Sequence, residues 1–157
     1  MQPHWTDSQW DDAFAAATRR AELMLAKHDT SPSSRPMSDG YELVGAYGEI
    51  VWARMHGLPD PRLEQTGGDG GRDFIHRVCT DQGGTKPISV DVKTARKAFY
   101  LIVPVGQVRA DVYVLAAYIE GAQSSPRIKF IGWPAQSSTR QPASSTRTAK
   151  TATTSKR

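Results

Sequence analysis

Two hydrophobic periods run along this chain, and the change from one to the other divides it. Over residues 10–26 the sequence is rich in alanine, with Phe14, Ala17, Ala21 and Leu25 at helical spacing, which predicts an amphipathic covering helix. Ser8 and Asp11 stand ahead of it at the spacing of a capping box. The segment HDTSPSSRP, residues 28–36, breaks the pattern with serines and prolines. Asp39 and Glu42 then cap a second predicted helix that runs to about Met55, before Gly57 and Pro59. Its apolar face is Leu43, Tyr47, Ile50 and the stem of Arg54, flanked by Val44 and Val51.

After a Pro/Gly loop over residues 58–71 the period becomes two. Residues 72–80 and 87–95 read as strands, and Gln82-Gly83-Gly84-Thr85 supplies the glycines of a hairpin between them. Residues 99–103, 111–118 and 127–131 are further predicted strands, with a short helix or turn over 105–110. The stretch 112–117 is nearly all apolar, as a central strand covered on both faces requires. Helix, helix, three strands, crossover and two strands predict an α/β fold with a mixed central sheet flanked by helices. The expected organisation is an N-terminal helix and linker (1–37), a core (38–134) and a tail (135–157). The tail has no apolar periodicity and is expected to be disordered.

Composition narrows the class. A chain of 157 residues with 38% hydrophobic content supports one domain with a proper core. Its longest apolar run, residues 99–105, is far below membrane-spanning length, and the first residues lack the pattern of a signal peptide. A soluble, cytoplasmic protein with no membrane partner is the expectation. The single cysteine, Cys79, excludes an internal disulfide, and its apolar strand suggests a small core residue. The histidines, His4, His28, His56 and His76, are scattered and do not form a zinc pattern. The net charge of +4 is concentrated in the tail, where residues 135–157 hold five cations and no acid. The remainder has 15 basic and 16 acidic residues, so composition does not argue for a basic folded face. The tail itself could add salt-sensitive, sequence-independent affinity for nucleic acid, or simply aid solubility.

The candidate chemistry lies in the first two predicted strands. Alternation makes Asp91 and Lys93 project together while Val90 and Val92 point the other way. With the hairpin centred on Gly83, Lys93 falls opposite Asp73 and Asp91 opposite Ile75, so the three polar groups converge on one face. Two carboxylates and an amine aimed at one point suit metal-assisted phosphodiester hydrolysis. Arg72, Lys86, Arg96 and Lys97 are candidate contacts to a phosphodiester backbone, and equally suit a solvated rim. Glu49 shares a helical stripe with Glu42, Ala46 and Ala53. By itself it reads as a solvated glutamate.

Taken together, Gly45-Ala46-Tyr47-Gly48-Glu49, Gly68-Asp69-Gly70-Gly71-Arg72-Asp73, Asp91-Val92-Lys93 and Ala110-Asp111-Val112-Tyr113-Val114-Leu115 with Phe130-Ile131-Gly132-Trp133 resemble the PD-(D/E)xK nuclease superfamily. That superfamily includes type II restriction enzymes, archaeal Holliday-junction resolvases and Mrr-like enzymes. The resemblance spans roughly residues 41–134 and implies a restriction-endonuclease-like αβββαβ core. It assigns Asp73 and Asp91 as the catalytic acids, Lys93 as the catalytic lysine and Glu49 as the helix acid. Asp69 competes with Asp73 for the first position, although its glycine-rich setting suits a turn. Arg72 stands where proline is common, and Asp91 replaces the more frequent glutamate.

The implied cofactor is Mg²⁺, with Mn²⁺ as substitute, held by Asp73, Asp91 and the Val92 carbonyl, with Glu49 direct or through water. The implied reaction is hydrolysis of DNA to 5′-phosphate and 3′-hydroxyl ends. Lys93, with an ordinary pKa near 10.4, fits better as a group that orients water and stabilises phosphate than as a base. Paired cleavage of a duplex needs two active sites, which makes a homodimer the candidate assembly. Two other classes stay open: a catalytically lapsed nucleic-acid-binding or regulatory protein on the same fold, and a protein-interaction domain.

Overall fold

The computed structural model describes residues 1–28, 40–61, 72–97, 109–121 and 124–132. Helix α1 spans Asp7–His28 and helix α2 spans Tyr41–Met55. The capping box of α1 is Thr6 with Gln9, earlier in the chain than Ser8 with Asp11. The Gln9 amide donates to Thr6 Oγ1 (3.3 Å) and the Thr6 amide to Gln9 Oε1 (2.9 Å). The stripe that faces inward also differs from the expected one. Trp10, Ala13, Ala17 and Ala21 are buried, while Leu25, expected on the apolar face, is exposed.

The alanine stripe lets α1 lie close on α2, which in turn packs on the sheet. Helix α2 is therefore covered from two sides. Val44, Ala46, Tyr47, Gly48, Ile50, Val51, Trp52 and Ala53 are all buried, a wider face than the sequence suggested, and Leu43 is only partly covered. The helix starts at Gly40, whose φ of 71° suits glycine and which makes no side-chain cap. The expected cap Asp39 lies outside the described residues, as do Asp69, the predicted strand 99–103, most of the 105–110 connection, and the tail.

Among the described residues four strands follow: β1 (Phe74–Cys79), β2 (Thr85–Ala95), β3 (Val112–Ile119) and β4 (Arg127–Gly132). They form one mixed sheet in the order β1-β2-β3-β4, with β2 and β3 parallel and the outer pairs antiparallel. A mixed α/β architecture on a mixed sheet is thus present. Even-numbered residues of all four strands face the helices. Phe74, Val90, Val92, Val114, Ala116, Ile128 and Phe130 join Tyr47, Ile50 and Val51 in one core. Each large side chain buried there contributes about 1.5–3 kcal/mol. Gly48 permits the close approach: a Cβ there would lie 1.8 Å from Thr94 Oγ1. Strand β3 is covered on both sides, since Tyr113 and Val114 are buried on opposite faces.

The hairpin register differs from the expected one. Phe74 pairs with Val90, Ile75 with Ser89 and Cys79 with Thr85, so the turn centres on Gln82. The reason is its closure: the Thr80 amide donates to Gly84 O (2.8 Å) and the Gly83 amide to Thr80 O (2.9 Å), with Gly83 at φ 77°. Moving the centre by one residue shifts the pairing by two, so Asp91 does not oppose Ile75. An even shift leaves every side chain on its expected face. Cys79 is a second correction. Its odd position puts it on the outer face, where it is exposed and not part of the core.

Candidate functional site

The outer face of β2 carries Ser89, Asp91 and Lys93 beside Asp111 and Tyr113 of the β3 side. Asp91 is buried, with 2% of its surface exposed, and its Oδ1 accepts from Lys93 Nζ at 2.6 Å. The lysine end of the pair is half-exposed. A carboxylate so far from water depends on its cation, so removing the lysine would leave a costly buried charge. The sequence-predicted convergence of these two is present.

Asp73 joins them by a route that alternation did not reveal. It precedes β1, and its amide continues the ladder by donating to Val90 O (2.9 Å). Its side chain then reaches back, and Oδ2 accepts the Val92 amide at 2.6 Å. The Asp73 carboxylate is thereby fixed to the backbone between Asp91 and Lys93, which brings all three predicted residues to the end of the β1–β2 pair.

Glu49 is placed differently. On α2 it makes an ion pair with Arg20 of α1, a partner that nothing in the sequence pattern pointed to. Among the described residues no group of three or more His, Cys, Asp or Glu side chains is gathered as a metal site. Asp73 and Asp91 offer two carboxylates, a donor set that suits Mg²⁺, which is commonly held by one or two carboxylates and keeps several waters.

The candidate backbone contacts divide by face. Arg72 is exposed, and its Nε donates to Arg109 O (3.1 Å), next to the site. Lys97 is exposed just after β2. Arg96 lies on the helix side: its guanidinium is next to Gly40, 5.7 Å from the Tyr118 ring centroid and 3.8 Å from Glu120. Lys86 pairs with Val78 near the hairpin turn, and alternation puts it on the helix-facing side as well.

Two features of the surroundings were missed in the sequence. Asp111 Oδ2 accepts both the Ser89 amide (2.8 Å) and Ser89 Oγ (2.7 Å), and the Asp111 amide donates back to Ser89 Oγ (3.0 Å). These bonds, from the Ser89 amide first and its hydroxyl second, hold the Asp111 carboxyl below its usual range. Tyr113 Oη accepts the amides of Arg109 (2.8 Å) and Ala110 (3.2 Å) and so fixes the chain entering β3. An acid opening an apolar strand was the available signal for Asp111.

On the helix side, Trp52 Nε1 donates to His76 Nε2 (3.0 Å), and the His56 and His76 rings lie 5.1 Å apart. Burial, and then the charge of His56, lower the pKa of His76. Here His76 has a packing role away from the acids. A shallow cleft of about 350 Å³ between Trp5, Ser8, Gln9, Asp12 and Arg54 is separate from Asp91 and Lys93. No helix among the described residues is long and apolar enough to cross a membrane. Comparison of the chain with family models, curated proteins and solved structures gave no match.

Proposed function

We propose that this protein is a metal-dependent endodeoxyribonuclease of the PD-(D/E)xK type. The observation that carries the proposal is the junction at Val92, where the Asp73 carboxylate accepts the Val92 amide and, on either side of that residue, the buried Asp91 carboxylate pairs with the Lys93 ammonium. Asp73 and Asp91 would hold Mg²⁺ or Mn²⁺, with the Val92 carbonyl as a further ligand in the family's manner. When bound, the ion would polarise the scissile phosphate and supply an activated water. Lys93 pairs with Asp91 and presents its ammonium to the solvent side, where it can orient that water and stabilise charge on the phosphate. Arg72 and Lys97 stand close enough to β2's end to hold the backbone on either side. Phosphate and hydroxyl ends, a DNA substrate and a homodimer for paired cuts belong to the same proposal.

The test is cleavage of labelled single-stranded, duplex, nicked and four-way-junction DNA with Mg²⁺ and with excess EDTA. Wild type should cut only with metal, and Asp73→Ala, Asp91→Asn and Lys93→Met should each lower the rate at least about a hundredfold while melting as folded proteins. Metal-dependent cutting that persists in Asp73→Ala/Asp91→Ala would sink the site.

One observation favours a second reading. Glu49 is engaged by Arg20, and no third carboxylate is gathered beside Asp73 and Asp91 among the described residues. A nucleic-acid-binding protein whose catalysis has lapsed would have this arrangement. It would show salt-sensitive DNA affinity without turnover in either metal.

A further inference from the structure

We infer that Tyr113 and Arg72 are positioning residues of the proposed site: with the backbone of Arg109 and Ala110 they form a bracket across β2 that sets Asp73 against Asp91. The inference rests on the nuclease reading for its consequence in catalysis, and on hydrogen bonds alone for its geometry. Register is the first argument. Tyr113 is the β3 partner of Asp91, both hold odd positions on the outer face, and each is 2% exposed. The tyrosine therefore stands beside the buried carboxylate, in a place where it cannot itself touch a substrate.

The link between strands is the second argument. Tyr113 Oη accepts the amides of Arg109 (2.8 Å) and Ala110 (3.2 Å), which folds the chain ahead of β3 back over its own strand. The Arg109 carbonyl then accepts Arg72 Nε (3.1 Å). Arg72 lies on the β1 side of the sheet, and β1 and β3 are two strand spacings apart, roughly 10 Å, with β2 between them. An arginine Nε is too few bonds from its Cα to span that distance, so the two halves of the link meet over β2. Ala110 is fully buried, so the segment is packed down onto the sheet.

The third argument is what the link holds. Arg72 immediately precedes Asp73, whose amide joins the ladder at Val90 and whose Oδ2 accepts the Val92 amide (2.6 Å). A bracket fixed at Tyr113 beside Asp91 and at Arg72 beside Asp73 ties the supports of the two carboxylates to each other. Carboxylates that are to share one divalent ion repel each other until it binds, so their spacing has to be imposed by the surrounding structure. The half-exposed Lys93 end is left open, and Arg72 as a whole stays exposed, so the bracket leaves its charge at the surface.

The experiment follows hydrogen exchange of the Val92 amide by NMR, alongside steady-state DNA cleavage over a range of Mg²⁺ concentrations. Tyr113→Phe removes the acceptor without changing charge; Arg72→Met removes the donor at an exposed position, and so decides the matter should the buried change fail to fold. In both, the Val92 amide should exchange several-fold faster relative to that of Val114, a core amide that reports global opening. In both, kcat should fall about tenfold, and the Mg²⁺ concentration giving half the maximal rate should rise. Tyr113→Phe should leave KM for DNA unchanged. Because both changes cut one link, the double variant should be little worse than either. Ile131→Ala, exposed on β4, should match wild type throughout. Folded variants with wild-type Val92 exchange and wild-type kcat would overturn the bracket and leave the nuclease reading standing. If wild type cuts DNA with neither Mg²⁺ nor Mn²⁺, that reading falls, and Val92 exchange alone decides whether the bracket holds Asp73.

Discussion

The inner and outer faces of the sheet come from the same strands, yet they obey different rules. On the inner face Phe74, Val90, Val92, Val114, Ile128 and Phe130 lock against α2 with scarcely any exposed surface. On the outer face Asp91 and Lys93 pair, Asp111 closes on Ser89, and Ile75 and Ile131 stand in water. Strand β2 contributes to both, residue by residue: Val90 and Val92 stabilise the fold, while Asp91 and Lys93 present polar chemistry. The proposed function would need that separation, because a catalytic site must be held rigidly by a core that the site itself does not disturb.

The largest effect that can break this comparison is a cavity on one face against a truncation on the other. Phe130, 1% exposed, should lose about 3–5 kcal/mol when changed to alanine. Ile75→Ala should stay within about 0.5 kcal/mol, since that side chain is mostly in solvent. Urea unfolding of both variants decides the matter. Similar losses would mean that the outer face is as closed at its β1 edge as the inner one, and that the two faces are not different in kind there.

The helix–sheet contact gives the next test. Gly48→Ala forces a Cβ toward Thr94 and should cost about 1–3 kcal/mol by crowding. Among the described residues the buried Thr94 Oγ1 has no hydrogen-bond partner, so Thr94→Ala should be close to neutral. Combined, the two changes should cost less than their sum, because the hydroxyl in the way of the new methyl group is gone; the Cβ of residue 94, 2.9 Å from the added atom, keeps the rescue partial. A strictly additive pair in urea unfolding would show that α2 does not meet β2 at this point.

How much of this was legible in the sequence depends on the range of the interactions involved. Strand alternation is local, so the shared face of Asp91 and Lys93 could be read directly, and a register error of two residues did not alter it. The hairpin's centre turned on the hydrogen bonds that Thr80 makes with Gly83 and Gly84, which glycine content alone does not specify. Helix α2 looked amphipathic because the pattern could not say that α1 would cover its second side. The Arg20–Glu49 pair joins residues on different helices, and only packing brings them together. Cys79 was misplaced for the opposite reason: its apolar neighbours suggested burial, but its position parity puts it outside.

The smallest effect, and the one that sharpens the contrast furthest, is the response of the inner face to acid. His76 Nε2 accepts the indole N–H of Trp52, so the ring must be neutral, with its proton on Nδ1. Protonation would set two donors against each other, and burial followed by the charge of His56 already lowers the pKa of His76 in the fold. An unfolded histidine titrates near 6.5, so below that value the unfolded chain binds more protons than the folded one. The contribution is therefore complete above about pH 6.5 and is lost as pH falls through the lower folded value. His76→Gln keeps a side-chain acceptor for Trp52 and cannot titrate, so its loss of stability between about pH 7.5 and about pH 5.5 should be smaller than that of wild type. Ile75→Ala, one residue away but facing outward, should leave the pH dependence as it is. His56→Gln should bring the His76 titration, followed by NMR, back toward its ordinary value. A His76 that titrates at or above the ordinary value in wild type would mean that the Trp52 bond does not form, and that the inner face is less closed at β1 than at β4.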